Sequence, residues 1–342
     1  MGWWKRLRPA WGVPLMLAIL LPWCIAIWIV SHGTFFSKAV GTNFVGKIAS
    51  GQQSHGLPPG YHLLVFAVAF WPGSLFAVAA VPFVWARRRL PEVRFLLCWI
   101  IPHWVIFELI ATKLPHYVLP TYPAIAILAA ASLTSPQGWI WPRRMIGRVL
   151  LGLYGMIWLL VGLGIAVAGP ILLWRLQHEI SAPALFASGL ALILVPGTIL
   201  LMGLREPRQA AVFASAAALL TYASLFWVVL PNLRVIWLSP RIASMVAQVK
   251  PCPGSVLASA SFSEPSLVFL VGRDTRLVNA AGAADLLAHD KRCGMALVGT
   301  RDEAAFRARL AIDGITVRQL GRVDGINYST GKRLDLGLFK AN

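Results

Sequence analysis

Acidic side chains are almost absent from the first two thirds of the chain. No aspartate precedes Asp274, and before Ser239 the only acidic residues are Glu92, Glu108, Glu179 and Glu206. The other nine of the 13 acidic residues follow Ser239. Since carboxylate-ligated metal sites need several acidic ligands close together, the first part of the chain has few ways to build one. A divalent metal cofactor stays an open expectation.

Several catalytic motifs are also missing. The sequence has no HExxH or CxxC pattern for zinc and no GxSxG turn for a serine hydrolase. The glycines Gly272, Gly294 and Gly299 do not follow a phosphate-loop or dinucleotide spacing. The sequence therefore offers no motif for these enzyme classes.

Charge is scarce and hydrophobicity is high, which indicates an integral membrane protein. Charged residues make up 13% and hydrophobic residues 58% of the chain, whereas soluble domains carry about 25% charged residues. The formal net charge is +18, but much of it lies in short loops between apolar segments, so it predicts orientation rather than nucleic-acid binding. We expect no nucleic-acid partner, and membrane lipids as neighbours.

Seven apolar segments are long enough to cross about 30 Å of hydrocarbon. They are Gly12–Val30, Tyr61–Ala86, Val93–Ala111, Val118–Leu133, Met145–Trp174, Ala182–Leu204 and Ala211–Leu230. Most loop lysines and arginines lie in one alternate set of loops, while the other short loops hold only Lys38, Lys47, Lys113 and Arg175. The positive-inside rule then places the N-terminus in the cytoplasm. An odd number of spans places the C-terminal tail outside.

The tail differs in composition and pattern from the preceding residues. Residues 239–342 alternate short strands and helices, which predicts a small α/β domain. The predicted elements include a helix at Pro265–Val271, strands at Met295–Gly299 and Ile315–Leu320, and a final strand pair around Gly331 within Asn327–Phe339. The predicted domains are thus a transmembrane part, 1–238, with an outer loop, 31–60, and an exported domain, 239–342. If the tail is exported, a disulfide between Cys252 and Cys293 is expected. The fold class is a polytopic α-helical membrane protein of about seven transmembrane helices with a C-terminal periplasmic α/β domain.

The most informative stretch is Phe107–Pro123, where one apolar span ends and the next begins. It places Lys113, His116 and Tyr117 at the predicted outer surface, with Glu108 about one helical turn before them. Ionisable groups at membrane depth are costly, so they are candidates for function. The alternative is structural: Lys113 extends to lipid headgroups, and Tyr117 is an interfacial anchor.

Two motifs carry a resemblance to a known family. GQQSHGLPPGY (Gly51–Tyr61) looks like an H-x-x-P-x-x-Y junction, and TKLPHYVLP (Thr112–Pro120) is similar to a K-x-P-x-Y-x-x-P turn. Both resemble motifs of GT-C membrane glycosyltransferases that use polyprenyl-phosphate sugars, such as the aminoarabinose lipid A transferases and bacterial relatives of protein O-mannosyltransferases. The motifs cover roughly residues 1–135, and the rest of the chain matches in layout.

The resemblance implies transfer of a sugar from a polyprenyl-phosphate donor to lipid A, a protein or another glycan, on the outer face of a bacterial inner membrane. It implies that Lys113 and His116 bind the donor phosphate and that Tyr117 hydrogen-bonds phosphate or sugar. It also implies that Tyr61 belongs to the residues that bind the donor phosphate or sugar. The outer loop 31–60 is expected to cover the lipid carrier, with its residues His55 and Lys47 near the donor headgroup.

One departure from the family leaves two hypotheses open. Family members carry a pair of catalytic acids in the first outer loop, and this sequence has no acid there. We expect the chain to be a C-terminal portion, a split subunit or a shortened open reading frame of such an enzyme, completed by an N-terminal half or partner subunit. A self-sufficient enzyme that uses Glu108 as its catalytic acid is the weaker alternative. Alternatively, it is a non-catalytic subunit or pseudoenzyme that binds a polyprenyl lipid or a partner protein. A transporter is disfavoured, since no inverted repeat is evident.

Overall fold

A computed structural model describes residues 8–45, 57–136 and 139–342. Two compact units make up the chain. The first contains Met1–Ile165 and Leu190–Leu219, and the second contains Ala166–Gly189 and Leu220–Asn342. The second unit thus holds the whole predicted tail, 239–342, together with helical segments that precede it.

The part before the tail is helical in the described residues. Its helices are α1 (Pro9–Val30), α2 (Thr34–Phe36), α3 (Tyr61–Ala69), α4 (Gly73–Ala79), α5 (Val81–Arg87), α6 (Pro91–Leu109), α7 (Tyr122–Thr134), α8 (Met145–Gln177), α9 (Ala182–Gly203), α10 (Pro207–Ala223) and α11 (Leu230–Asn232). In the predicted outer loop, α2 continues as a π-helix over Ser37–Val45. The loop's remaining predicted residues up to 56 lie outside the described ranges.

Five described helical segments are long and apolar enough to cross a membrane: Pro9–Val30, Pro115–Thr134, Met145–Gln177, Ala182–Gly203 and Pro207–Asn232. The prediction of a polytopic helical membrane protein with a small C-terminal sheet domain is confirmed. The structure has five such segments where seven spans were predicted, because the predicted spans Tyr61–Ala86 and Val93–Ala111 are not among them.

Both differences have a chemical cause. The predicted span Tyr61–Ala86 is divided into α3, α4 and α5. Pro72 lies in the first break, and Pro82 is the second residue of α5, directly after the second break. Neither proline can donate the backbone hydrogen bond that continues a helix. The predicted span Val93–Ala111 corresponds to α6, which is 19 residues long but contains Glu92, Arg94 and Glu108.

Buried aromatic residues hold the broken segment in the first unit. Trp71 stacks on Trp158 at 5.8 Å between ring centroids, and the indole nitrogen of Trp158 donates to the carbonyl of Pro72 at 3.1 Å. This hydrogen bond satisfies a backbone group that the helix break exposes. Phe66 packs against Tyr122, which anchors α3 on α7.

The tail contains one mixed five-stranded sheet. Its strands are β1 (Leu257–Ala260), β2 (Arg276–Leu277), β3 (Met295–Gly299), β4 (Val317–Ile326) and β5 (Arg333–Ala341). Their order is β2-β1-β3-β5-β4; β1 pairs in parallel with β2 and β3, whereas β5 pairs antiparallel with β3 and β4. Four helices accompany it: α12 (Leu238–Val249), α13 (Pro265–Val271), α14 (Ala280–His289) and α15 (Thr300–Ile312).

The alternation of side chains along the strands divides the tail core between two faces of the sheet. On β3, Met295 and Leu297 join the cluster under α12 and α13, while Ala296 and Val298 join the cluster under α14 and α15. The small side chains on the second face let the alanines of α14 come close. The tail is therefore a layered α/β domain, as predicted.

Two glycines of β4 admit α12 to the sheet. A Cβ atom at Gly325 would lie 2.4 Å from the carbonyl oxygen of Val235 and 2.7 Å from a methyl carbon of Leu238. A Cβ atom at Gly321 would lie 2.5 Å from the sulfur of Met245. A larger residue at Gly325 has to displace the backbone before α12, whereas one at Gly321 has to move the side chain of Met245.

We expect Gly325→Ala to lower the free energy of unfolding by about 2 kcal/mol, because overpacking a filled core costs about 1–3 kcal/mol. Thermal unfolding of the purified chain measures the change. Gly254→Ala is the matched control, since its Cβ would meet no atom within 4 Å. Equal effects of the two substitutions would contradict the close packing of α12 on β4.

Cys252 and Cys293 are joined by a disulfide that closes a loop of 41 residues in the tail. Cross-linking lowers the entropy of the unfolded chain, so removing such a bond typically costs about 3 kcal/mol. We expect Cys252→Ser/Cys293→Ser to unfold at a clearly lower temperature than the parent. The free cysteines provide the control: Cys24→Ser/Cys98→Ser should unfold like the parent, and reducing agent should affect only chains that retain Cys252 and Cys293.

Candidate functional site

The candidate site lies where α6 ends and the next span begins. Helix α6 stops at Leu109, and Ile110 has an extended backbone. Leu114 is also extended, as expected for a residue before proline, and Pro115 then opens a 3₁₀ helix over Pro115–Thr121. The two prolines of the motif therefore form a short turn between two helical segments, which is the predicted arrangement.

The ammonium group of Lys113 caps the end of α6. It donates to the carbonyl of Glu108 at 2.8 Å and to that of Ile110 at 2.6 Å. The residue is only 2% exposed. Carbonyls at a helix C-terminus lack partners within the helix and carry partial negative charge, so a cation is well placed there. Within the described ranges, these bonds leave one of the three N–H donors for another acceptor.

The carboxylate of Glu108 caps a different helix. It accepts hydrogen bonds from the backbone N–H groups of Gly60 at 2.8 Å and His62 at 3.1 Å. These N–H groups lie at the start of α3, where helical N–H groups have no partner within the helix. The N-cap position is Gly60, whose φ of 99° suits glycine. Glu108 therefore joins the end of α6 to the start of α3.

Two histidines, His62 and His103, also contact the turn and the Glu108 carboxylate. Neither of them was assigned a role from the sequence. His62 is fully buried; its Nε2 lies 3.2 Å from the carbonyl oxygen of Leu114, and its Nδ1 lies 3.6 Å from the Glu108 carboxylate. Since the carbonyl only accepts, a hydrogen bond at this contact requires a proton on Nε2. His103 Nε2 lies 2.9 Å from the carbonyl oxygen of Tyr117. The available signal was position: His62 follows Tyr61 of the first motif, and His103 lies about one turn before Phe107.

The accessible polar groups of the turn are those of His116, Tyr117 and Tyr61. His116 is exposed, and the two tyrosines are partly exposed. The Tyr117 ring contacts the rings of His116 and Phe107, each at 5.1 Å between centroids. Tyr61 contacts the buried ring of His62 at 5.2 Å. The structure thus separates the predicted ligands into a buried lysine and three groups that an outside molecule can reach.

His55 and Lys47 lie outside the described residues, so their predicted place near the donor headgroup stays a prediction. Within the described ranges, no group of three His, Cys, Asp or Glu side chains is placed to hold a metal ion.

Comparison with known proteins shows which proteins this chain and its fold resemble. No protein-family model matches the chain. The undecaprenyl phosphate-alpha-4-amino-4-deoxy-L-arabinose arabinosyl transferase of Pectobacterium carotovorum is 26% identical over 193 residues, which are 55% of this chain and 33% of that protein. The enzyme of the same name from Photorhabdus laumondii is 32% identical over 117 residues, 33% of this chain and 21% of that protein.

The crystal structure of ArnT from Cupriavidus metallidurans bound to undecaprenyl phosphate shares the fold. The match has a TM-score of 0.65 at 20% identity and covers 98% of this chain and 61% of that one. Its apo structure matches with a TM-score of 0.60. This chain therefore spans about a third or less of the two arabinosyl transferases above and under two thirds of the solved ArnT chain.

The class of protein follows from these findings. The chain is a multi-pass membrane protein with the fold of the solved ArnT of Cupriavidus metallidurans. More particularly, it resembles the ArnT-type arabinosyl transferases in sequence over part of its length and in fold over nearly all of it. The resemblance predicted from the two motifs is confirmed.

We expect Lys113→Met to lower the free energy of unfolding by about 2 kcal/mol, because two carbonyls at the end of α6 lose a charged donor. Thermal unfolding in detergent measures the change, and Lys332→Met, at an exposed position of the tail, is the control. An unchanged midpoint for Lys113→Met would show that the cap does not stabilise the turn.

Proposed function

We propose that this chain is the C-terminal portion of a membrane glycosyltransferase of the ArnT type and binds its polyprenyl-phosphate sugar donor. The observation that carries the proposal is the turn at 112–120: a motif similar to one of the family's places two accessible polar rings beside a buried cation. The named relatives point to undecaprenyl phosphate-aminoarabinose as the donor to test first. The resemblance to lipid A transferases makes lipid A the first acceptor to test.

His116 and Tyr117 contact the donor phosphate in this proposal. Both are accessible and lie together at the start of the 3₁₀ helix. The buried ammonium of Lys113 offers its remaining N–H and its positive charge from below the turn. Negative charge grows on the phosphate as the sugar departs, and fixed donors near that charge stabilise the transition state. Tyr61, at the start of α3, contacts the sugar.

Glu108 has a positioning role in this proposal. Its carboxylate is occupied by two backbone N–H groups and faces His62. A general base must reach the proton that it removes, and this carboxylate is directed at the start of α3 instead. The base that activates the acceptor then comes from another segment or subunit that carries the family's acid pair.

Orientation and location belong to the same proposal. The distribution of basic residues supports a cytoplasmic N-terminus, and it supports a periplasmic position for the candidate turn and the tail of an inner-membrane protein. The disulfide in the tail agrees with an oxidising compartment. A divalent metal that assists transfer is retained as a proposal, and turnover measured with and without a chelator tests it.

A second function is favoured by the shortage of acids and by the occupied carboxylate of Glu108. In that case the chain binds the polyprenyl lipid without transferring the sugar. Both functions predict donor binding, but only the first predicts turnover. Supplying a segment that carries the family's acid pair distinguishes them: sugar transfer by the combined chains supports the enzyme, and binding without transfer supports the non-catalytic subunit.

We expect Tyr117→Phe to weaken binding of undecaprenyl phosphate about tenfold or more, because a hydrogen bond to a charged group contributes about 1.5–3 kcal/mol. Titration of the purified chain with undecaprenyl phosphate, followed by native mass spectrometry, measures the affinity. Tyr328→Phe, an exposed position in the tail, is the matched control. Equal affinity of the parent and Tyr117→Phe would remove Tyr117 from the site.

A further inference from the structure

The first unit also contains a groove with mostly apolar walls, which differs from the polar turn of the candidate site. An elongated groove of about 360 Å³ runs between α8 and α9. Its walls are apolar and include Leu151, Met156, Leu159 and Ile199. Its volume falls within the range of about 300–1,000 Å³ that is usual for small-molecule sites. Apolar walls of this kind suit an acyl chain.

One end of the groove is basic and aromatic. Arg148 and Arg205 line it together with Trp141, and both arginines are exposed. The Nε of Arg148 donates to the carbonyl of Pro142 at 3.1 Å, which fixes its guanidinium at the mouth of the groove and leaves the two terminal nitrogens of that group for another acceptor. Tryptophan is typical of the headgroup level of a bilayer.

Glycines give the groove its depth. A Cβ atom at Gly152 would meet no atom within 4 Å, and one at Gly155 would meet only Ile199, at 3.7 Å. Helix α8 therefore has open space on this side, and a larger side chain at either glycine would fit without a clash. Because Gly152 and Gly155 have no side chains, the groove between the helices has room for a ligand.

This groove is separate from the candidate donor site. The span Pro115–Thr134 begins at the donor turn and ends shortly before Trp141, so the two sites lie at opposite ends of that span. The hydrogen bond from Arg208 Nε to the carbonyl of Leu133, 2.9 Å long, holds the start of α10 at the same end of the span as the groove's arginines. A lipid in the groove therefore has its headgroup on the side away from the donor.

We propose that this groove binds an anionic glycerophospholipid of the surrounding bilayer. The two guanidinium groups bind the headgroup phosphate, and an acyl chain lies along Gly152 and Gly155. Charge complementarity selects this occupant: basic pockets between transmembrane helices bind anionic headgroups, and guanidinium groups match phosphate geometry. The inference does not depend on the proposed glycosyltransferase function.

The test is lipid retention by the full chain, measured by native mass spectrometry with phosphatidylglycerol or phosphatidylcholine as the added probe. We expect the parent to retain phosphatidylglycerol preferentially. Arg148→Gln/Arg205→Gln should weaken that binding about fivefold for each arginine, or about 25-fold for the pair, and leave phosphatidylcholine binding unchanged. Arg143→Gln/Arg144→Gln, two exposed positions beside the groove, is the control and should bind like the parent.

A second pair of variants tests the groove itself. Gly152→Leu should fill it and abolish preferential retention, whereas Gly164→Leu, on the same helix with open space around its Cβ and outside the groove, should not. Equal losses from the two arginine pairs would mean diffuse surface attraction and would overturn the site. Arginine-dependent binding of undecaprenyl phosphate but not of phosphatidylglycerol would assign the groove to the carrier lipid and overturn the proposal as well.

Discussion

The structure around the candidate site depends on two charged side chains that satisfy helix ends. Lys113 binds carbonyls at the end of α6, and Glu108, at the same end, binds N–H groups at the start of α3. In an apolar medium, each unpaired backbone group costs several kcal/mol. The two residues therefore fix where α3, α6 and the following turn meet, and the rings of His116 and Tyr117 take their positions from that junction.

This arrangement reconciles the two interpretations of the turn. Lys113 and Glu108 are ionisable groups predicted to lie at membrane depth, which makes them candidates for function, yet each is hydrogen-bonded to backbone groups. The groups that can be reached from outside are the rings of His116 and Tyr117. In the proposed donor site, the buried charge of Lys113 would set the local potential, and the accessible rings would contact the lipid-linked phosphate. Under that proposal Lys113 serves both folding and binding, whereas the hydroxyl group of Tyr117 serves binding.

The helices and strands of the tail follow from local sequence more directly than the contacts of the candidate site do. Pro265–Val271 and Met295–Gly299 were predicted with the observed limits, since proline, glycine and apolar runs mark them locally. The predicted strands Ile315–Leu320 and the pair around Gly331 became one long hairpin, β4 and β5, with Gly331 in its turn at a φ of 68°. Pairing with β5 carries β4 past Gln319 despite the irregularity there, and no local pattern reveals such pairing.

The sequence by itself determined the membrane character, the tail domain, the family resemblance and the position of the turn, because these depend on composition and on residues close together in the chain. Only the tertiary structure decided which ionisable side chains are hydrogen-bonded to backbone groups. Glu108 meets Gly60 and His62 across more than forty residues, and no spacing rule predicts a contact of that range. The division of Tyr61–Ala86 into three helices is intermediate: its prolines are visible in the sequence, but the hydrogen bond from Trp158 that satisfies the break comes from a distant helix.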